Sequence, residues 1–124
     1  MPVYAFAVSV KTQFVAEQSD PDADQYVFTY TITIRHTGTV PAQLIARHWV
    51  ITDANNRIKE VAGLGVVGQQ PLLRPGEQYE YTSGTQLATA AGSMTGHYFC
   101  VAEDAHRFEV PIPEFVLSVP RTLH

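Results

Sequence analysis

The segment of this chain whose residue types and spacing most directly suggest chemistry is a glycine-rich stretch, Gly63-Leu64-Gly65-Val66-Val67-Gly68. Its glycines have the G-x-G-x-x-G spacing of loops that cradle a dinucleotide pyrophosphate. That motif works because a helix begins at its third glycine and directs backbone N–H groups at the phosphates. Here Gln69-Gln70-Pro71 and then a predicted strand follow, so the context excludes a Rossmann-type site.

Two interpretations of this stretch remain open. A nest of backbone amides can hold an anion without a helix, which would make Gly63, Gly65 and Gly68 ligands of a phosphate or pyrophosphate. Nearby cationic side chains that could assist are Arg57, Lys59 and Arg74. The simpler interpretation is a tight surface loop whose glycines adopt positive φ angles.

Other catalytic and metal-binding patterns are not found. The histidines at 36, 48, 97, 106 and 124 show neither the i, i+4 nor the i, i+2 spacing of a simple metal site. Asp20-Pro21-Asp22-Ala23-Asp24 lacks the glycine and the closing glutamate of a calcium loop. Cys100 lies inside a predicted strand, where a buried thiol is usual, and there is no G-x-S-x-G elbow. The sequence therefore predicts a non-enzyme with no catalytic residue, metal or cofactor.

The elements that must position these residues are strands. Apolar and polar residues alternate through most of the chain, the period of half-buried strands. Strands are predicted at 4–14, 26–35, 43–53, 57–61, 78–82, 94–102 and 107–119. The only helix candidate, Thr85 to Ala91, is too closely bracketed by glycines. Pro111, Pro113 and Pro120 indicate edge positions or a bulge in the last strand. This spacing predicts an all-β, two-sheet antiparallel sandwich, with a barrel as the alternative.

On the third strand, strict alternation predicts two faces. One consists of Leu44, Ala46, His48 and Val50, and the other of Ile45, Arg47, Trp49 and Ile51. Trp49 on this strand and Tyr98 two residues before Cys100 are marks of an immunoglobulin-like sandwich. The second cysteine of that pattern is missing, so the prediction is a sandwich without a disulfide, held together by packing.

The sixth strand also suggests an interface. If Tyr98 and Cys100 point inward, Phe99 and Val101 point outward and form an apolar stripe. Such a stripe often marks a protein–protein contact. The alternative is that the C-terminal strand or the other sheet covers it.

Composition limits the function classes. A chain of 124 residues that is 45% hydrophobic fits one domain, 1–124, with a substantial core. Its net charge of −4 and scattered Lys and Arg argue against nucleic acid, and no apolar run is long enough for a membrane span. The single cysteine and the absence of a signal pattern at Met1–Tyr4 predict a cytoplasmic protein. The edge strands of an open sandwich also suggest a homodimer.

Several segments together resemble the bacterial ApaG (CorD) family. They are residues 47–53, 61–71, 75–77, 81–84, 96–98, 112–115 and 119–120. The resemblance implies an immunoglobulin-like or fibronectin type III-like sandwich and a link to cobalt tolerance and magnesium efflux. Similar domains in an F-box protein and a polymerase-associated protein suggest partner binding. It also carries a pyrophosphate-binding idea onto Gly63, Gly65 and Gly68, although Leu64 replaces a residue that is often charged in relatives.

Two function hypotheses follow. The first is a non-enzymatic binding or regulatory module, related to divalent-cation homeostasis, that contacts an unidentified partner protein. The second is a phosphate, pyrophosphate or nucleotide binder at the Gly63–Gly68 loop. A third, an enzyme acting on nucleotides, lacks candidate acids, bases and metal ligands in the sequence.

Overall fold

The computed structural model describes residues 3–120; Met1, Pro2 and residues 121–124, which include His124, lie outside the described part. Two short 3-10 turns occur at Ala16–Gln18 and Pro21–Ala23. The eight strands are β1 (Phe6–Phe14), β2 (Tyr26–His36), β3 (Ala42–Asp53), β4 (Ile58–Leu64), β5 (Leu72–Leu73), β6 (Gln78–Leu87), β7 (Ala91–Ala102) and β8 (Arg107–Ser118). No helix between residues 3 and 120 is long and apolar enough to cross a membrane.

The strands form two antiparallel sheets. The small sheet has the order β1-β2-β6, and the large sheet has the order β4-β3-β7-β8, with β5 paired to one end of β3. Cys100 is buried and free. The predicted disulfide-free, immunoglobulin-like and fibronectin type III-like sandwich is confirmed.

The core lies between the sheets, where the alternation placed it. On β2, Phe28, Tyr30, Ile32 and Ile34 are buried, while the threonines between them lie on the outer face. From the large sheet, Trp49 (2% exposed) and Tyr98 (0%) pack into the same core. Both residues expected from the immunoglobulin-like pattern are therefore core residues.

One predicted feature of β3 is wrong. Uninterrupted alternation placed Leu44 and Trp49 on opposite faces, but both are buried against the small sheet. Leu44 pairs with Cys100 and Ala46 with Phe99, so Ile45 is an extra residue that forms a β-bulge. A bulge shifts the alternation by one residue, which explains how Leu44 and Trp49 share the inner face of β3.

β6 is longer than the sequence predicts, and β8 has the edge position and irregular pairing that its prolines indicate. β6 extends to Leu87, so part of the rejected helix candidate is strand. β8 lies at one edge of the large sheet. Its pairing with β7 shifts between Met94 opposite Phe115 and Gly96 opposite Ile112. The prolines of β8 thus coincide with an edge strand and a register irregularity, as predicted.

The two lateral sides of the sandwich differ. On the β1–β8 side, the Phe6 and Phe108 ring centroids are 5.8 Å apart, and the Tyr4 ring stacks on His106 at 4.0 Å. Aromatic rings therefore close this side. On the opposite side, between β4 and β6, polar and charged residues line an open cleft.

Candidate functional site

The glycine stretch begins at the end of β4 and continues as a tight loop. Gly65 and Gly68 have φ angles of 67° and 75°, and Val67 has 48°. The Gly65 amide donates to the Ile45 carbonyl, and residues 66 and 69 donate to each other's carbonyl groups. Positive φ explains Gly65 and Gly68, but it does not explain Gly63, which is part of β4.

Gly63 is explained by Arg47, which lies opposite it on β3. A Cβ atom on Gly63 would lie 3.0 Å from Nη1 and 3.1 Å from Nη2 of Arg47. The absence of a side chain lets the guanidinium lie over the strand. There Nη1 donates to the carbonyl oxygens of Leu64 at 3.1 Å and Gly65 at 3.0 Å. Arg47 thus holds the start of the loop through its carbonyl groups.

The structure does not bring Arg74 to this loop. Gly63 pairs with Arg47 on β3, whereas Leu73 pairs with Ala42 at the far end of that strand. At 3.3 Å per residue, roughly 15 Å of strand separate these positions. The Arg74 amide instead donates to Oε1 of Glu77 across a turn. Gly63, Gly65 and Gly68 therefore lie close together, but the backbone of Arg74, the predicted cationic ligand, is remote from them.

Beside the loop lies a cleft that the sequence did not reveal. It consists of two adjoining recesses of about 370 and 310 Å³, both lined by Arg47, Trp49, Tyr30 and Ser83. We call it the Arg47 cleft. The other lining residues are Ile51, Lys59, Val61, Leu64, Val66, Val67, Gly68, Tyr81, Thr82, Gly84, Thr85 and Gln86. This lining contains two cationic side chains and no Asp or Glu.

Tyr81 lines the smaller recess of the cleft and contacts the buried Tyr98. The hydroxyl groups of Tyr81 and Tyr98 hydrogen-bond to each other, and both side chains are buried. Burial raises the pKa of both phenols well above the ordinary value, although the nearby Arg47 charge opposes this for Tyr81. Both phenols therefore remain neutral at physiological pH, and the cleft retains its positive charge.

The outer face of the large sheet carries the predicted Phe99–Val101 stripe. Phe99 lies in one cross-strand row with Ala46 and Leu64, and Val101 lies in another with Gln43 and Leu72. We call the residues Leu64, Leu72, Ala46, Phe99 and Val101 the outer apolar patch. Phe99 and Val101 are half-buried, whereas Leu64 and Leu72 are 74% and 57% exposed. β8 lies beside the stripe, not over it.

A histidine pair also emerges on this face. His48 lies opposite His97 across β3 and β7, with ring centroids 5.1 Å apart. His48 Nε2 lies 3.4 Å from Glu60 Oε1, and His97 Nε2 lies 3.8 Å from Glu109 Oε1. No group of three potential metal ligands occurs among residues 3–120. A search for spacing within one strand missed this pair; alignment of β3 against β7 would have found it.

Comparison with known proteins decides the family. A family model described as the ApaG domain matches residues 16–102, more than half of the chain. The chain belongs to the ApaG family. A Protein ApaG from Ralstonia nicotianae is 63% identical over all of both chains. Another from Thiobacillus denitrificans is 62% identical, covering 98% of this chain and 95% of the relative.

Solved structures of similar proteins agree with the fold. A Bordetella pertussis crystal structure matches with a TM-score of 0.94 at 59% identity, covering 98% of each chain. An X-ray structure at 46% identity gives a TM-score of 0.90 and covers 96% of this chain and 90% of that one. ApaG membership thus extends over almost the whole chain and agrees with the resemblance read from its motifs. The names of these relatives state no reaction.

Proposed function

We propose that this ApaG-family chain is a non-enzymatic module that binds a partner protein through the outer apolar patch. The observation that carries the proposal is the exposure of Leu64 and Leu72, which lie in the same cross-strand rows as Phe99 and Val101. The family resemblance supports a setting in the cytoplasm, in cobalt tolerance and magnesium efflux.

The chemistry of the patch favours a protein over other partners. Complete burial of an exposed leucine side chain contributes about 1.5–3 kcal/mol, so two leucines are a substantial anchor. Beside the patch on β8, Arg107 lies opposite Val101 and Glu109 lies opposite Phe99. An apolar centre with charges of both signs at its rim is typical of protein interfaces. The expected partner therefore presents an apolar surface with polar groups at its margin.

The test uses a matched pair of double variants in extracts of the source cell. Leu64→Ser/Leu72→Ser removes the exposed leucines of the patch. Ile58→Ser/Val116→Ser removes two equally exposed apolar residues (67% and 63%) at the other end of the same face. A partner captured by both the wild type and the control variant is purified and its dissociation constant for each protein is measured. The patch variant should bind this partner at least about tenfold more weakly than the wild type does. Equal binding by both variants, or no partner that rebinds, would contradict the proposal.

A phosphate-bearing ligand at the Gly63–Gly68 loop is the second candidate. The observation that favours it is that the N–H groups of Val67 and Gly68 have no hydrogen-bond acceptor within residues 3–120. Free amides next to positive φ angles resemble an anion-binding nest. Titration with pyrophosphate should then shift the amide resonances of Val67 and Gly68 first, and no shift at millimolar ligand would exclude this site.

A further inference from the structure

We infer that the Arg47 cleft, between β4 and β6, binds a small molecule carrying a phosphate or diphosphate group. This site shares only Leu64 with the outer apolar patch, and its anchor is the Arg47 side chain, not the amides of the glycine loop. The inference therefore does not depend on the proposed protein-binding function.

Arg47 is placed as a ligand anchor. It lies on the inner face of β3 next to the buried Trp49, yet it has no carboxylate partner within residues 3–120. A guanidinium has five N–H donors, and the only hydrogen bonds of the Arg47 guanidinium in the described chain are the two from Nη1 to the loop carbonyls. The described residues contain no buried side-chain nitrogen without a partner. The unpartnered donors on Nε and Nη2 therefore reach solvent, and Arg47 lines both recesses of the cleft.

The loop fixes the direction of these donors. Two carbonyl groups hold one nitrogen, and Gly63 gives the plane of the guanidinium room to lie against β4. A planar, pre-oriented guanidinium suits phosphate oxygens, which it can bind in a bidentate manner. Because the ligand would not have to order this side chain, binding would lose little affinity to side-chain entropy. If Arg47 only held the loop in place, its Nη1 group would be sufficient. That role does not explain why the donors on Nε and Nη2 have no partner in the described chain.

The opposite parts of the cleft complete a site for an elongated anion. Lys59 lies on β4 four residues before Gly63, or about 13 Å along the strand, and it lines the larger recess with Arg47. Ser83 and Thr85 contribute hydroxyl groups from β6. Two separated cations suit a diphosphate or an extended phosphate ester better than a single small ion. The volume of about 370 Å³ lies at the lower end of the range for small-ligand pockets, roughly 300–1,000 Å³.

Other charges near the cleft do not compete for this role. Asp53, which lines a neighbouring recess with Ile51 and Lys59, is bound by the Arg57 side chain at 3.0 Å, and amide and guanidinium hydrogen bonds lower its pKa. Glu60 and Glu80 lie on outer faces, where they contact His48 and Thr33. The positive charge of Arg47 and Lys59 is therefore not neutralised in the cleft, although the whole chain carries −4.

The experiment is an amide-resolved NMR titration of the full chain with pyrophosphate, ADP, orthophosphate and sulfate in separate arms. We expect saturable shifts at Arg47, Lys59 and Ser83 and at the Trp49 indole N–H. Lys59→Gln should raise the dissociation constant about tenfold, because it removes one charged contact. Lys11→Gln, on the outer face of the small sheet, is the matched control and should change it less than twofold. Tighter binding of ADP than of pyrophosphate would identify a nucleotide-like ligand, and the reverse a free diphosphate; either supports the site.

Several results would overturn the inference. These are shifts confined to Val67 and Gly68, equal losses in Lys59→Gln and Lys11→Gln, sulfate binding as tightly as pyrophosphate, or no shift at millimolar ligand. Arg47→Lys keeps the charge without the planar fork and should weaken binding about tenfold with the fold intact. Leu72→Ser, which changes the outer apolar patch at a residue that does not line the cleft, should bind the anion as the wild type does. Failure of the cleft and failure of the patch are therefore distinguishable.

Discussion

On its inner face, β3 carries Arg47 next to the buried Trp49, beside a cleft and with three guanidinium donors that have no partner within residues 3–120. On its outer face, the same strand borders Leu64 and Leu72, two mostly exposed residues that pair with it along one edge. A half-buried strand is expected to present apolar side chains to the core and polar ones to solvent. Each face of β3 departs from that rule at the same end of the strand.

Such departures indicate function more strongly than the regular part of the sheet does. Natural sequences violate the packing pattern mainly at functional sites, where a compensating gain exists. At the other end of β3, Ile51 is buried and Thr52 faces outward, so β3 itself is regular there, although Ile58 beside Thr52 on β4 is 67% exposed. The end near the glycine loop is distinguished by the charged Arg47 on the inner face and by the two cross-strand rows that join the exposed leucines to Phe99 and Val101.

The largest expected effect tests the assignment of the inner face. Trp49→Ala should lower the free energy of unfolding by about 3–5 kcal/mol, because the indole packs against Tyr30 and Phe115 with ring centroids 5.4 and 5.9 Å away. Val50→Ala, at the half-buried outward position, should cost about 1 kcal/mol or less. Urea unfolding followed by circular dichroism measures both. Similar losses for the two variants would remove the distinction between the faces.

A smaller effect tests the loop that connects the two faces. Gly65→Ala places a Cβ atom 2.5 Å from the Gln69 carbonyl oxygen at a φ of 67°, so we expect a loss of at least about 2 kcal/mol. Gly68→Ala meets no atom within 4 Å and bears only the strain of its positive φ, about 1 kcal/mol. Thermal unfolding compares the two. An equal loss would show that the crowding at Gly65 is relieved by movement of the loop.

Much of the fold could be predicted because it follows from local patterns. Alternation on β2 identified its inner face, and Trp49 with Tyr98 identified the sandwich type. The bulge at Ile45 could not be predicted, since a single extra residue leaves no mark in composition and its place is set by pairing with β7. A strict period of two therefore assigned Leu44 to the wrong face.

The candidate sites were predicted less completely, for a physical reason. The Gly63–Gly68 motif was noticed as a run of neighbours in sequence. The role of Gly63, however, is to leave room for the Arg47 guanidinium, and Arg47 is 16 residues away and adjacent only across β3 and β4. Lys59 and Ser83 likewise meet in the cleft through the approach of two sheet edges. Spacing along one strand cannot reveal residues that sheet packing brings together.

The last prediction concerns the charge that the core excludes. Burial raises the pKa of the Cys100 thiol from its ordinary value of 9.0 to about 12, so the folded state holds this proton more tightly than the unfolded state does. The stabilisation is complete well below pH 9 and is lost as the pH rises toward 12. Between pH 9 and 10 this thiol should lower the free energy of unfolding by about 1 kcal/mol. The tyrosines of the unfolded chain begin to ionise in the same window, so the buried Tyr81 and Tyr98 add to the fall, and comparison with Cys100→Ala isolates the contribution of the thiol.

Cys100→Ala provides the matched variant for this window. It lowers stability at every pH because it removes buried volume, but the slope of unfolding free energy against pH should flatten between pH 9 and 10. Urea titrations at closely spaced pH values measure that slope. An unchanged slope would mean that the thiol ionises as easily in the native chain as in water. The inner face would then admit charge at Cys100 as it does at Arg47, and the contrast between a dry core and a charged cleft would fail.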